Sequence, residues 1–187
     1  PDVSGREEIL KIHAKNKPLD DDVDLKALAK ATVGYSGADL ENLMNEAAIF
    51  AARRQAEKIN AKDLDNANVK VMMGTEKKSR ILTDDEKKLT AYHEAGHAIL
   101  AKALDSTATV NQISIIPRGM AGGYTLYFPK EDKMYNSKNE MLNQIIILMG
   151  GRGAEELFMD DISTGASNDL ERATKIAHAM VSKYGMT

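Results

Sequence analysis

The sequence predicts a mainly α-helical chain with a small β element: a four-helix module followed by an α+β domain. Three observations carry this. Apolar residues recur at helical spacing in segments that open on capping signatures. Two short strand-like runs, each closed by a proline, occur in the second half. A polar, basic stretch without periodicity, Gly74 to Arg80, separates the two halves.

The elements follow in order. Ser4 with Glu7 forms a capping-box signature for a first helix through Ile9, Leu10, Ile12 and His13. Asp24 can cap a short helix through Leu25 and Leu28. The turn Val33 to Gly37 breaks the pattern, and Ser36 with Asp39 opens a long helix whose apolar residues are Leu40, Leu43, Met44, Ala47 and Ala51. Asn60 caps a fourth helix running towards Val71. The expected division is a module over 1–74, a linker over 75–81 and a second domain over 82–187. In that domain Thr83 with Glu86 starts a helix through Leu89, Tyr92, His93, His97 and Leu100. Strand-like runs follow at Val110 to Ile116 and Tyr124 to Phe128. Ser137 with Glu140 caps a long helix through Leu142, Ile145, Ile146, Met149 and Ala154. A turn at Gly165 to Asn168 leads to a last helix from about Asp169 to Tyr184.

The composition narrows the function classes. With 187 residues, 43% hydrophobic and 28% charged, the chain has the make-up of a soluble globular protein able to bury a core. The net charge of −3 lies wholly in residues 81–187, and its sign argues against nucleic acid as a partner. Without cysteine there is neither a disulfide nor a thiolate zinc site. No apolar run approaches the ~20 residues that span a bilayer. The start at Pro1, without an initiator methionine or signal peptide, reads as a fragment of a longer protein.

The chemistry concentrates in the string HEAGH, His93 to His97. On a helix, residues i and i+4 share a face, so His93 and His97 can direct two imidazoles at one ion. Zinc accepts neutral imidazole nitrogen and, in catalytic sites, keeps one position open for water. Glu94 is rotated about 100° from His93, so it is placed as a general base for that water rather than as a ligand. Gly96 lowers helix propensity by roughly 1 kcal/mol relative to alanine, which implies a close neighbour. A third ligand is required. His13 belongs to the first module and His178 to a helix surface or core, so carboxylates are the better candidates: Asp169, which follows a glycine-containing turn, or Glu155 and Glu156 at the end of the helix that Ser137 caps. Spacing favours Asp169 and leaves Glu155 open. The run Tyr124 to Phe128, with Gly122 and Gly123 beside it, is either a substrate-binding edge strand or a buried core strand.

Further strings support a resemblance. AYHEAGHA (Ala91 to Ala98), IIPRG (Ile115 to Gly119), GGR (Gly150 to Arg152), AEE (Ala154 to Glu156) and STGASNDL (Ser163 to Leu170) together resemble the FtsH family of membrane-anchored, ATP-dependent AAA zinc proteases. PDVSGREEIL (Pro1 to Leu10) and GYSGADLENLMNEAA (Gly34 to Ala48) resemble the helical lid of its AAA module. The resemblance implies an AAA lid followed by a zincin-type protease domain that is C-terminally incomplete. It implies Asp169 as third zinc ligand and Glu155 as a residue orienting a histidine. It places His13, Gly37 and Ala38 near ATP, where Gly37 and Ala38 leave backbone open to a flat base.

Zn²⁺ is the implied cofactor, with ATP bound mainly by a part of the parent protein not in this sequence, since no GxxxxGK[ST] loop occurs. The implied parent is a homo-hexamer acting on unfolded or membrane proteins. Its anchor would lie in a missing N-terminal part, with this portion on the cytoplasmic (or organelle matrix or stromal) side. The alternative is a catalytically disabled assembly fragment of the same ring; retention of Glu94 separates the two.

Overall fold

The computed structural model describes residues 1–77, 81–104, 108–119, 121–129, 133 and 135–187. It forms two compact units, Pro1–Glu76 and Lys77–Thr187. Of the expected linker 75–81, residues 78–80 lie outside the described residues.

The first unit consists of helices α1 (Val3–Ala14), α2 (Leu25–Ala31), α3 (Gly37–Arg53) and α4 (Ala61–Met73). Three of the expected caps form as read: Asp24 on α2, the pair Ser36–Asp39 on α3, and Asn60 on α4, where Asp63 completes a capping box. The first differs. Asp2, not Ser4, caps α1, its carboxylate accepting from the Gly5 amide at 2.8 Å. Aspartate caps as well as serine, and with the cap two residues earlier Glu7 pairs with Lys11 instead. Leu10, Leu28, Leu40, Leu43, Met44, Ala47 and Leu64 fill the core between the helices. Arg6, fully buried, donates from Nε to the Ala29 carbonyl and ties α1 to the end of α2.

The second unit runs α5 (Asp84–Ala103), β1 (Ala108–Ser114), β2 (Tyr124–Pro129), α6 (Lys138–Phe158), a 3₁₀ turn (Thr164–Ala166) and α7 (Ser167–Ser182). The strands form an antiparallel pair with an irregularity between Val110 and Gln112. The predicted boxes Thr83–Glu86 and Ser137–Glu140 open α5 and α6.

Helix α6 is turned partly away from the expected stripe: Ala154 is buried as expected and Ile145 and Met149 are half-buried, but the rest differ. Met141, Leu148 and Glu155, seven residues apart, face inward, whereas Leu142 and Ile146 are exposed. The rotation is set by glycine. A Cβ on Gly96 would stand 2.2 Å from the Gly150 carbonyl oxygen and 2.8 Å from the Ala154 Cβ. Helices α5 and α6 therefore cross almost backbone to backbone, and only the small-residue face of α6 can turn inward there. The last helix also begins earlier than expected. The 3₁₀ turn winds directly into it at Ser167, which puts Asp169 inside the first turn of α7.

Candidate metal centre

Three helices and a strand supply the site. Helix α5 carries His93, Glu94 and His97; α6 carries Glu155; α7 carries Asp169; β2 carries Thr125. Among the described residues, His93, His97 and Asp169 form the one cluster able to hold a metal ion. The Nε2 atoms of His93 and His97 are 3.1 Å apart. Asp169 Oδ2 is 3.3 Å from the first and 3.4 Å from the second. Ligands at 2.0–2.1 Å around a tetrahedral zinc stand about 3.3 Å from one another. The donor triangle therefore has the size and the nitrogen–oxygen chemistry that zinc takes.

The opposite ring nitrogens are committed elsewhere. His93 Nδ1 lies 2.7 Å from Glu155 Oε1, and His97 Nδ1 lies 2.7 Å from the carbonyl oxygen of Ile147. Each partner is an acceptor, so each Nδ1 is placed to donate. That tautomer turns both Nε2 lone pairs toward Asp169. Glu155 is itself fixed: it is buried, and its Oε2 accepts from the Ser163 amide at 2.7 Å. Gly151 makes room for the imidazole, since a Cβ there would stand 2.4 Å from His93 Cε1 and Nε2.

The electrostatics follow from these contacts. Burial works to raise the Asp169 carboxyl, but when the imidazoles also carry a proton on Nε2 their hydrogen bonds and charge hold it well below the usual carboxylate range. Burial works to lower His93, and the bonds to Asp169 and Glu155 outweigh it, leaving the imidazole above its ordinary value. For Glu155, burial is outweighed by the Ser163 amide and His93, so it too is depressed. Glu94 goes the other way. It is 7% exposed, and burial raises its carboxyl against the opposing hydrogen bond from Thr125 and the two imidazoles. It is no member of the donor triangle.

The model of peptidase family M41 matches residues 80–187, more than half of the chain. The chain belongs to peptidase family M41. The family assignment covers every residue of the donor triangle, and a model of the AAA+ lid domain matches residues 22–66 of the first unit. The ATP-dependent zinc metalloprotease FtsH of Caldicellulosiruptor bescii is 59% identical over 187 residues, all of this chain and 30% of that protein. FtsH 1 of a Thermoanaerobacter species is also 59% identical over the whole chain, which covers 31% of it. FtsH of Bacillus subtilis is 51% identical over the same span, 29% of its length. The resemblance read from the strings is thus borne out at the level of the family, while the chain spans about 30% of the length of such relatives.

The structure brings His93, Glu94, His97, Glu155 and Asp169 together in this M41 unit. His13, Gly37 and Ala38 lie in the other unit. His13 is half-buried, Ala38 exposed, and a Cβ on Gly37 would meet nothing within 4 Å. His178 is exposed on α7. Three contacts were not legible in the sequence: the Ile147 carbonyl, the Thr125 hydroxyl on Glu94, and Gly151 beneath His93. Gly123, expected to clear space for substrate, is required by the unit's own packing: a Cβ there would stand 2.5 Å from Thr90 Cγ2. Two residues beyond Thr125, the Tyr127 phenol oxygen is buried; it makes no hydrogen bond of full geometry among the described residues but interacts with the Thr125 hydroxyl.

Among the described residues no helix is long and apolar enough to cross a membrane.

Proposed function

We propose that this chain is the peptidase portion, with the AAA lid ahead of it, of an ATP-dependent zinc protease acting on unfolded, misassembled or membrane proteins. The carrying observation is the convergence of His93 Nε2, His97 Nε2 and Asp169 Oδ2 with both Nδ1 atoms already bonded. In this reading His93, His97 and Asp169 hold zinc, and Glu155 orients His93. Zinc in such a site polarises the scissile carbonyl and acidifies water to a pKa of about 7.

The protein's own part is proton handling and orientation. Glu94 takes the proton of the attacking water and returns it to the leaving amine. Burial raises its affinity for protons, which suits a group that must accept one from the attacking water. Strand β2 has β1 as its sole strand neighbour among the described residues, with Tyr124 and Leu126 buried beneath it. This supports β2 as an edge on which an extended substrate adds through main-chain hydrogen bonds. In the lid, His13 and the Gly37–Ala38 pair approach nucleotide, with the open space around Gly37 in support. The named relatives support a zinc- and ATP-dependent parent protein; hexameric assembly and membrane anchoring of that parent are part of this proposal.

The test is zinc content together with cleavage of unfolded casein, with and without chelator, for the parent protein and its Asp169→Ala variant. Stoichiometric zinc, chelator-sensitive cleavage and loss of both in the variant are expected. Full activity in the variant refutes the ligand set. Bound zinc without any cleavage would instead favour the disabled-fragment alternative.

A further inference from the structure

Strand β2 reaches back onto the helix that carries the motif. The Thr125 hydroxyl lies 2.7 Å from Glu94 Oε2 and 3.1 Å from the Glu94 carbonyl oxygen. A hydroxyl has one proton to give, and the closer, anionic oxygen takes it. The placement of Thr125 is not free. Successive strand side chains alternate in face, and Tyr124 and Leu126 on either side are 4% and 3% exposed. Their burial commits Thr125 to the opposite face, toward α5. The other carboxylate oxygen has a different neighbour. A Cβ on Gly123 would stand 3.0 Å from Glu94 Oε1, so a side chain there would crowd that oxygen.

We propose that Thr125 is a positioning residue for the general base, holding Glu94 by Oε2 so that Oε1 is presented to the attacking water. The inference rests on the reading of Glu94 as that base. A glutamate side chain turns about several torsions, and the fixed hydroxyl removes most of that freedom within a buried setting where a charge-assisted bond is strong. It also gives β2 two duties, since the strand proposed to receive substrate carries the residue that aims the base.

The experiment uses the full-length parent protein with ATP, zinc and a labelled unfolded casein. Thr125→Val keeps the shape and removes the hydroxyl; Thr125→Ala removes it without adding bulk; Thr125→Ser keeps it. Both hydroxyl-free variants should lose about ten- to hundredfold in kcat, the worth of one hydrogen bond to a charged group. KM and zinc stoichiometry should stay unchanged, and Thr125→Ser should return kcat to within about threefold. Normal kcat in both Val and Ala variants, a serine variant as poor as the valine one, or a defect lying in KM or in zinc content would each overturn the inference. Glu94→Gln separates the levels. If it stays active, the base reading fails; if it is inactive while Thr125→Val is normal, the Thr125 inference alone fails.

Discussion

Gly151→Ala sets two physical effects against each other, and the structure decides between them. Helix propensity favours alanine over glycine within α6 by roughly 1 kcal/mol. The new Cβ, however, would stand 2.4 Å from His93 Cε1 and Nε2 and 2.7 Å from Cδ2, where ordinary contact begins near 3.4 Å. About 1 Å of movement is needed, as much as or more than a preorganised site tolerates, which is nearer 0.5 Å. The ring cannot supply it cheaply. Its Nδ1 is held by Glu155 at 2.7 Å, and Glu155 is held in turn by the Ser163 amide. The helix cannot supply it either, because the next contact along is the Gly96–Gly150 crossing, with no slack. Overpacking of this kind costs about 1–3 kcal/mol, so the propensity gain is lost. Zinc affinity should fall by at least about tenfold, as when an orienting partner is removed. Competition against a chromophoric chelator measures the affinity, and thermal unfolding of the chelated protein measures the fold. Unchanged zinc affinity in a protein stabilised by the full propensity gain would refute the steric argument.

Three further outcomes are expected. Glu155→Ala removes the acceptor from both His93 Nδ1 and the Ser163 amide; zinc affinity should drop about 10- to 100-fold and stability by about 1–3 kcal/mol, read by titration calorimetry and denaturant unfolding, and an unchanged affinity would show that His93 orients itself. Zinc affinity should fall as pH drops through the raised His93 value, beginning above about 6.5, because the proton competes at that nitrogen while Asp169 remains ionised; a metal titration flat down to pH 5 contradicts this. Tyr127→Phe deletes a buried hydroxyl that makes no hydrogen bond of full geometry among the described residues but interacts with the Thr125 hydroxyl two residues back; stability should change by no more than about 1 kcal/mol, and a larger loss in a melting experiment would mean the phenol is fully satisfied.

What the sequence disclosed was local. Each of the pairs Ser36–Asp39, Thr83–Glu86 and Ser137–Glu140 depends on four consecutive residues and forms as read, and the Asn60 cap forms with Asp63 completing a box. HEAGH is legible for the same reason, since one helical turn defines it. On spacing, Asp169 was legible only as the slightly favoured one of three carboxylates, with Glu155 and Glu156; the resemblance singled it out. Choosing it over Glu155 on spacing requires knowing that the 3₁₀ turn folds into α7 and that the rotation of α6 takes Glu155 to the far side of the imidazole. That rotation was misread because α6 has apolar residues on both faces. The stripe with Leu142 and Ile146 is the more hydrophobic, yet the inward face is fixed by glycines that a hydrophobicity pattern ignores.

The same glycines explain why the candidate site can exist where it does. A bare pair of histidines on α5 would leave each ring free to turn and to carry its proton on either nitrogen. The Gly96–Gly150 contact brings α6 near enough that its own backbone, at Ile147, meets His97 Nδ1, and that Glu155, two turns on, meets His93 Nδ1. One of these acceptors is a carbonyl, which carries no residue identity. The tautomers that zinc ligation would require are therefore set by helix packing at positions that sequence alone marks only as small. An enlarged side chain at Gly96 or Gly150 should act on the metal centre through both histidines at once, and its cost should exceed that of losing either acceptor singly.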